Sequence, residues 1–139
     1  AKVYTDHMLL TYNQEIGRDV RNIFKFFQRN YQRLSLIHLI CAPFDMRNRK
    51  REKIKREVEH ATAGREAAIW IKINNLSDVE MVRQIYEASR AGVKIHINVR
   101  SMFSLITGKE GYSDHLEAIG IVAQLLEHTR ILIFNNGGV

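Results

Sequence analysis

The stretch GVKIHINVRS, from Gly92 to Ser101, places Val93, Ile95, Ile97 and Val99 on one alternation and Lys94, His96, Asn98 and Arg100 on the other. With the two-residue period of a β-strand, that separates an apolar face from one that can hold anions. IWIKIN repeats the pattern, with Ile69, Ile71 and Ile73 set against Trp70, Lys72 and Asn74. A parallel strand covered by helices on both faces reads as an unbroken apolar run. These two strands therefore point to a sheet with one side left open as a cleft, although the same pattern also fits a face that is simply solvated. Arg100 closes its strand at the carboxyl end, where open α/β sheets bind ligands, and a guanidinium makes forked contacts with phosphate oxygens. A phosphorylated ligand is the first candidate, with Lys72, Asn74 and Asn98 as further cleft residues.

Other reactive side chains give weaker signals. His7, His38, His60, His96 and His115 share no metal-site spacing, so no protein-bound zinc is expected. His128 alone reads as an ordinary surface or helix-end histidine. Thr107-Gly108-Lys109 lacks the preceding glycine and the following helix start of a phosphate loop. The run RNRKREKIKREVEH carries Arg47, Arg49, Lys50, Arg51, Lys53, Lys55 and Arg56, and so resembles a nucleic-acid patch. Glu52 and Glu57 interrupt it, Ile54 and Val58 supply a core stripe, and Glu52 precedes Arg56 at the favourable i, i+4 spacing. A solvated amphipathic helix is the stronger reading, which makes nucleic acid an unlikely partner; a basic α/β nucleic-acid-binding module stays as the alternative.

The elements that must position these residues follow from periodicity. Thr11 and Gln14 have capping-box spacing, and Ile16, Val20, Ile23, Phe24 and Phe27 mark an amphipathic helix from about Asn13 to Gln28. LSLIHLICA reads as a buried strand closed by Pro43. Met46, Ile54, Val58 and Ala61 stripe a second helix from about Asp45 to Ala63, stopped by Gly64. AAIWIKIN is the next strand. Ser77 and Glu80 open a helix that ends near Ala91 with Gly92 as its left-handed cap. GVKIHINVR, a loop with Gly108 and Gly111, a segment LEAIGIVAQLLEH expected to end helical, and the strand RILIF complete the order. Strands alternating with helices predict an α/β fold with βαβ units and a mostly parallel or mixed sheet.

The 139 residues are 45% hydrophobic, enough for one core. The single cysteine, Cys41, suits a reducing compartment, and no apolar run approaches the roughly 18 residues that a membrane span needs. A soluble, cytoplasmic protein is expected. The net charge of +6 and a pI near 9.7 favour anionic partners. The chain begins at Ala1 without a methionine and stops just after a strand-like run, so a piece of a longer protein is expected.

Several segments together carry a resemblance. Tyr4-Thr5-Asp6 is followed by Leu9-Leu10-Thr11, and Glu59-His60-Ala61 by Ala63-Gly64. Lys72 is followed by Asn74 and Leu76, and Ala88-Ser89 by Ala91-Gly92-Val93. Val99-Arg100 comes next, then Leu126-Glu127-His128 with Arg130-Ile131, and Phe134 with Asn136-Gly137-Gly138. From Val3 to Gly138 this series resembles the carboxyl-terminal half of the polyphosphate kinase family, the polyphosphate-synthesising enzymes of the phosphohistidine type.

The resemblance implies a phospholipase D-like fold, with residues 1–31 ending a first catalytic domain and 32–139 forming a truncated second one. It implies transfer of the terminal phosphate of ATP to a polyphosphate chain through a phosphohistidine outside these residues. Tyr4, Arg100 and His128 match the family's nucleotide contacts, and His128 is the catalytic candidate. Magnesium is implied for the full-length enzyme, with its ligands outside this chain. ATP, ADP and polyphosphate are the implied partners. A homo-oligomer is implied for the full-length enzyme, in a bacterial cytoplasm, with peripheral attachment to the inner membrane allowed. Another phospholipase D-like phosphotransferase or hydrolase is the neighbouring alternative. The chain departs from the family pattern at Ser101, Phe103, Thr107, Glu117, Gln124 and Asn135, which lowers local positive charge and bears on polyphosphate contacts more than on ATP contacts. Because the phosphoacceptor is expected elsewhere, the purified 139-residue chain should form no polymer from ATP and magnesium; labelled polymer in that assay would contradict the reading.

Overall fold

A computed structural model describes the backbone of residues 4–31, 33–122 and 126–138, and the side chains of these except residues 4, 5, 126 and 127. The chain forms two compact units, Ala1–His7 with Lys50–Val139, and Met8–Arg49. The boundary expected between residues 31 and 32 falls inside the second of these.

In the Met8–Arg49 unit, helix α1 spans Gln14–Gln28. Its cap is Asn13, whose Oδ1 accepts the Glu15 and Ile16 N–H groups at 2.9 and 3.1 Å. Thr11, expected to cap the helix, instead accepts the Asn13 N–H at 3.1 Å. The strand expected over LSLIHLICA does not form, and Ile37 is 59% exposed. The cause is Asp19, a buried carboxylate on α1 that takes the N–H groups of Ile37, His38 and Leu39 at 2.7 to 3.1 Å. Backbone donors committed to one side chain cannot also build a β-ladder.

Helix α2 spans Met46–Thr62, its first four residues belonging to the Met8–Arg49 unit and the rest to the other, which also holds β2 Ala68–Ile73, α3 Val79–Arg90, β3 Lys94–Val99, β4 Leu116–Gly120 and β6 Ile131–Phe134. These four strands form a mixed sheet in the order β4-β3-β2-β6, in which β4, β3 and β2 run parallel and β6 is antiparallel to β2. The short strands β1, Tyr4–Thr5, and β5, Leu126–Glu127, pair in parallel as a separate ribbon. The helical ending expected for LEAIGIVAQLLEH is overturned: Leu116 and Ala118 face inward opposite Ile95 and Ile97, and residues 126 and 127 are also strand. Residues 123–125 lie outside the described residues. An unpaired β3 edge offers Leu116–Gly120 a ladder that an isolated helix could not match, so tertiary pairing overrides local propensity.

The apolar face of the sheet, Ile69, Ile71, Ile95, Ile97, Val99 and Leu116, packs against Ile54 of α2 and Ile85 and Ala88 of α3. α3 is capped by Asp78, accepting the Met81 N–H at 3.0 Å, and not by Ser77. Gly92, with φ of 94°, makes the turn into β3. Glu57 ties the layers together. This residue of α2 is 1% exposed and accepts the Ala68 N–H at 3.2 Å and the Asn136 N–H at 2.6 Å. His60, one turn on, packs under the following turn so closely that a Cβ at Gly137 would lie 3.0 Å from its Nδ1.

Glu57→Ala should cost about 3 kcal/mol or more of stability, because two backbone donors lose their acceptor; a urea midpoint within error of wild type would contradict this. The Asp19 carboxyl is held below its ordinary 3.8 chiefly by the Leu39 N–H, then by those of Ile37 and His38, against the opposing effect of burial. A depressed carboxyl contributes stability that is complete above its unfolded value, near 3.9, and is lost as pH falls towards the folded one. Amide exchange at Ile37–Leu39, corrected for intrinsic rates, should therefore accelerate below about pH 4, and Asp19→Asn should remove that dependence.

Candidate phosphate site at the carboxyl end of the sheet

The register of four strands builds the second face of the sheet. Ile133, Trp70, His96 and Glu117 stand side by side across β6, β2, β3 and β4; Ile131, Lys72, Asn98 and Ile119 form the next row. Together they line a depression of about 370 Å³. Trp70 is 41% exposed and stacks on His96, with centroids 5.8 Å apart and planes 17° apart. His96 Nδ1 lies 3.1 Å from Glu117 Oε2. The expected polar strip thus exists only on the two central strands. Isoleucines flank it, and Glu117 supplies a negative charge beside His96.

The carboxyl end of β2 gathers the other candidates. Arg100 follows β3 immediately, and its N–H donates to the Ile73 carbonyl at 3.2 Å. Ile131 opens β6 opposite Lys72, so the segment that carries His128 enters the sheet from this end. Asn74, expected beside Lys72 on the open face, is instead 7% exposed. β2 ends at Ile73, and the alternation that would carry Asn74 to that face ends with it. The bridge between Leu76 and Phe103 packs the two post-strand loops together, so Phe103 serves the core.

The β1–β5 ribbon positions His128. Tyr4 pairs with Leu126 and Thr5 with Glu127, and the next two residues of each segment meet through their side chains. His128 Nδ1 lies 3.2 Å from Asp6 Oδ1, and His7 Nδ1 2.8 Å from Thr129 Oγ1. On the far side of the ring, Arg130 Nη2 lies 3.3 Å from His128 Nε2. A carboxylate only accepts and a guanidinium only donates. Both contacts are satisfied by a neutral imidazole with its proton on Nδ1, leaving the Nε2 lone pair towards Arg130. Of Tyr4 only the backbone is described. Asp6 had no periodic signal in the sequence, being 122 residues from His128; its place two residues after Tyr4 in the Tyr-Thr-Asp segment was the available hint.

The basic run is folded into α2, where many of its charges are answered locally. Arg49 lies 3.9 Å from Asp45, Arg51 3.0 Å from Glu80 and Lys55 3.9 Å from Glu59. No described helix is long and apolar enough to cross a membrane. Among the described residues, no group of three or more His, Cys, Asp or Glu side chains is placed to hold a metal.

Residues 39–139 match the family model for polyphosphate kinase C-terminal domain 2. Over 138 residues, 99% of this chain, it is 40% identical to the polyphosphate kinase of Vibrio vulnificus and 41% identical to that of Escherichia coli, covering 20% of each. The crystal structure of polyphosphate kinase from Porphyromonas gingivalis superposes with a TM-score of 0.84 at 31% identity, covering 92% of this chain and 21% of that one. A mixed α/β sheet of matching topology, sequence identity along nearly the whole chain and the family model together place this chain in the polyphosphate kinase family.

Proposed function

We propose that the carboxyl end of this sheet binds ATP and polyphosphate phosphates in a reaction that moves the terminal phosphate of ATP onto a polyphosphate chain. In this reading the phosphate passes through a phosphohistidine carried outside these 139 residues. The observation that carries it is the Asp6–His128–Arg130 series, in a segment that enters β6 from the end of the sheet at which Arg100 follows β3.

Each part has a physical role. Arg100 stabilises charge on phosphate oxygens, which is the main demand of phosphoryl transfer. Asp6 orients the His128 ring and favours a proton on Nδ1, leaving Nε2 to take or return a proton at a bound phosphate. Tyr4 adds a nucleotide contact, and Lys72 and Asn98 add polar groups on the open face. The net charge of +6 draws anionic chains towards the surface. Magnesium would neutralise phosphate charge in the longer enzyme, held by residues outside this chain. A phospholipase D-like, cytoplasmic, homo-oligomeric enzyme is the setting that this reading carries. A nucleic-acid role for α2 is weaker, because Glu80, Glu59 and Asp45 already answer its cations.

In calorimetric titration, Arg100→Ala and His128→Ala should each weaken ATP binding about tenfold, the loss of one charge-assisted contact. Asp6→Asn should weaken ATP binding less than His128→Ala, since the amide oxygen can still accept from Nδ1 while the carboxylate's charge is lost. Unchanged affinity in both alanine variants, with melting temperatures intact, would remove the site from this end of the sheet.

A further inference from the structure

His128 meets two groups of opposite charge through different ring nitrogens. Asp6 Oδ1 lies 3.2 Å from Nδ1, and Arg130 Nη2 lies 3.3 Å from Nε2. All three residues belong to the same compact unit. A guanidinium has only donors, so the contact at Nε2 needs a lone pair there, and the ring proton sits on Nδ1 facing the carboxylate. The series therefore has a direction. A phosphate oxygen only accepts, so it cannot hydrogen-bond to an Nε2 that is itself accepting, and the Asp6 carboxylate repels it. Arg130 is the member that attracts it. With one N–H turned to an uncharged ring, the guanidinium keeps its other donors and its full positive charge for a further partner. Among the described residues no carboxylate pairs with Arg130, whereas Arg49 and Arg51 are answered by Asp45 at 3.9 Å and Glu80 at 3.0 Å. Arg130 is also exposed, while the His128 side chain is 34% exposed.

We propose that Arg130 is the phosphate-contacting residue of this series and that, before any proton moves, His128 is its positioning residue. The ring, oriented by Asp6, accepts from Nη2 and aims the rest of the guanidinium at a phosphate of a phosphoanhydride chain. The guanidinium fork matches two phosphate oxygens, so one residue fixes both position and charge. The Nε2 lone pair stays next to that phosphate, in the state from which it takes a proton. This rests on the proposed function and deepens it, by naming the group that holds the phosphate at which His128 acts. The tail of ATP and a polyphosphate chain offer the same chemistry to Arg130.

The test titrates the chain and its variants with tripolyphosphate and, separately, with ATP. Arg130→Gln keeps a donor to Nε2 but removes the charge and the fork; Arg130→Ala removes all of them. Both should weaken tripolyphosphate binding about tenfold, with Arg130→Lys recovering part of the loss. Because His128 acts through Arg130, adding His128→Ala to Arg130→Ala should weaken binding less than about twofold further. An equal loss for ATP would assign the contact to both ligands, and a loss confined to one would assign it to that one. At saturating tripolyphosphate the ring nitrogen resonances of His128 should shift in the wild type and stay in place in Arg130→Gln, a difference that a merely structural arginine would not produce. Wild-type affinities for both ligands in Arg130→Ala and Arg130→Gln, or losses from Arg130→Ala and His128→Ala that simply add, would overturn the assignment. If Arg100→Ala loses ATP while both Arg130 variants bind as wild type, only the role of Arg130 falls; if the wild type binds neither ligand, the proposed function falls with it.

Discussion

The carboxylate of Glu57 is the constraint on which the larger unit depends. It is nearly inaccessible, yet each of its oxygens takes a backbone donor, one at the start of β2 and one just past the end of β6. An unpaired charge at such depth would be strongly unfavourable. Satisfied from two sides, it sets where α2 lies along two adjacent strands. Because β2 and β6 are antiparallel, the start of one and the end of the other lie together, within reach of a single side chain.

A second long-range tie positions His128. The β1–β5 ribbon is only two residues long on each side, but its parallel register delivers Asp6 to His128 and His7 to Thr129. The result is a histidine held from both ring nitrogens by groups of opposite charge. The open face of the sheet contributes less than its alternating polar residues suggest. Its lysine and asparagine sit between isoleucines, and its histidine is occupied with Trp70 and Glu117. The proposed anion contacts lie instead near the strand ends, where open α/β sheets hold ligands.

In the smaller unit, a single carboxylate acts against strand formation. Asp19 gathers three consecutive N–H groups of a segment whose composition favours a strand, and the segment follows an irregular path. The side chain wins locally because it is fixed on a helix and offers charge-assisted acceptors. The isoleucines of that segment are left partly exposed.

The sequence by itself determined what is local and periodic: α1 and α2 within a residue or two, β2, β3 and β6, the glycines that end helices, and the parallel pairing of consecutive strands across one helix. Arg100 and His128 were proposed through a family resemblance and not through spacing. Tertiary structure decided the rest, since each remaining outcome turns on groups far apart in the chain. Leu116–Gly120 became a strand because β3 had an edge to pair, LSLIHLICA lost its ladder to Asp19, and Asn74 was buried because β2 stops one residue earlier. Asp6 met His128 across 122 residues. Periodicity reports which face of an element is apolar; it cannot report which distant donor, acceptor or charge will occupy the other face, because that depends on the closed fold.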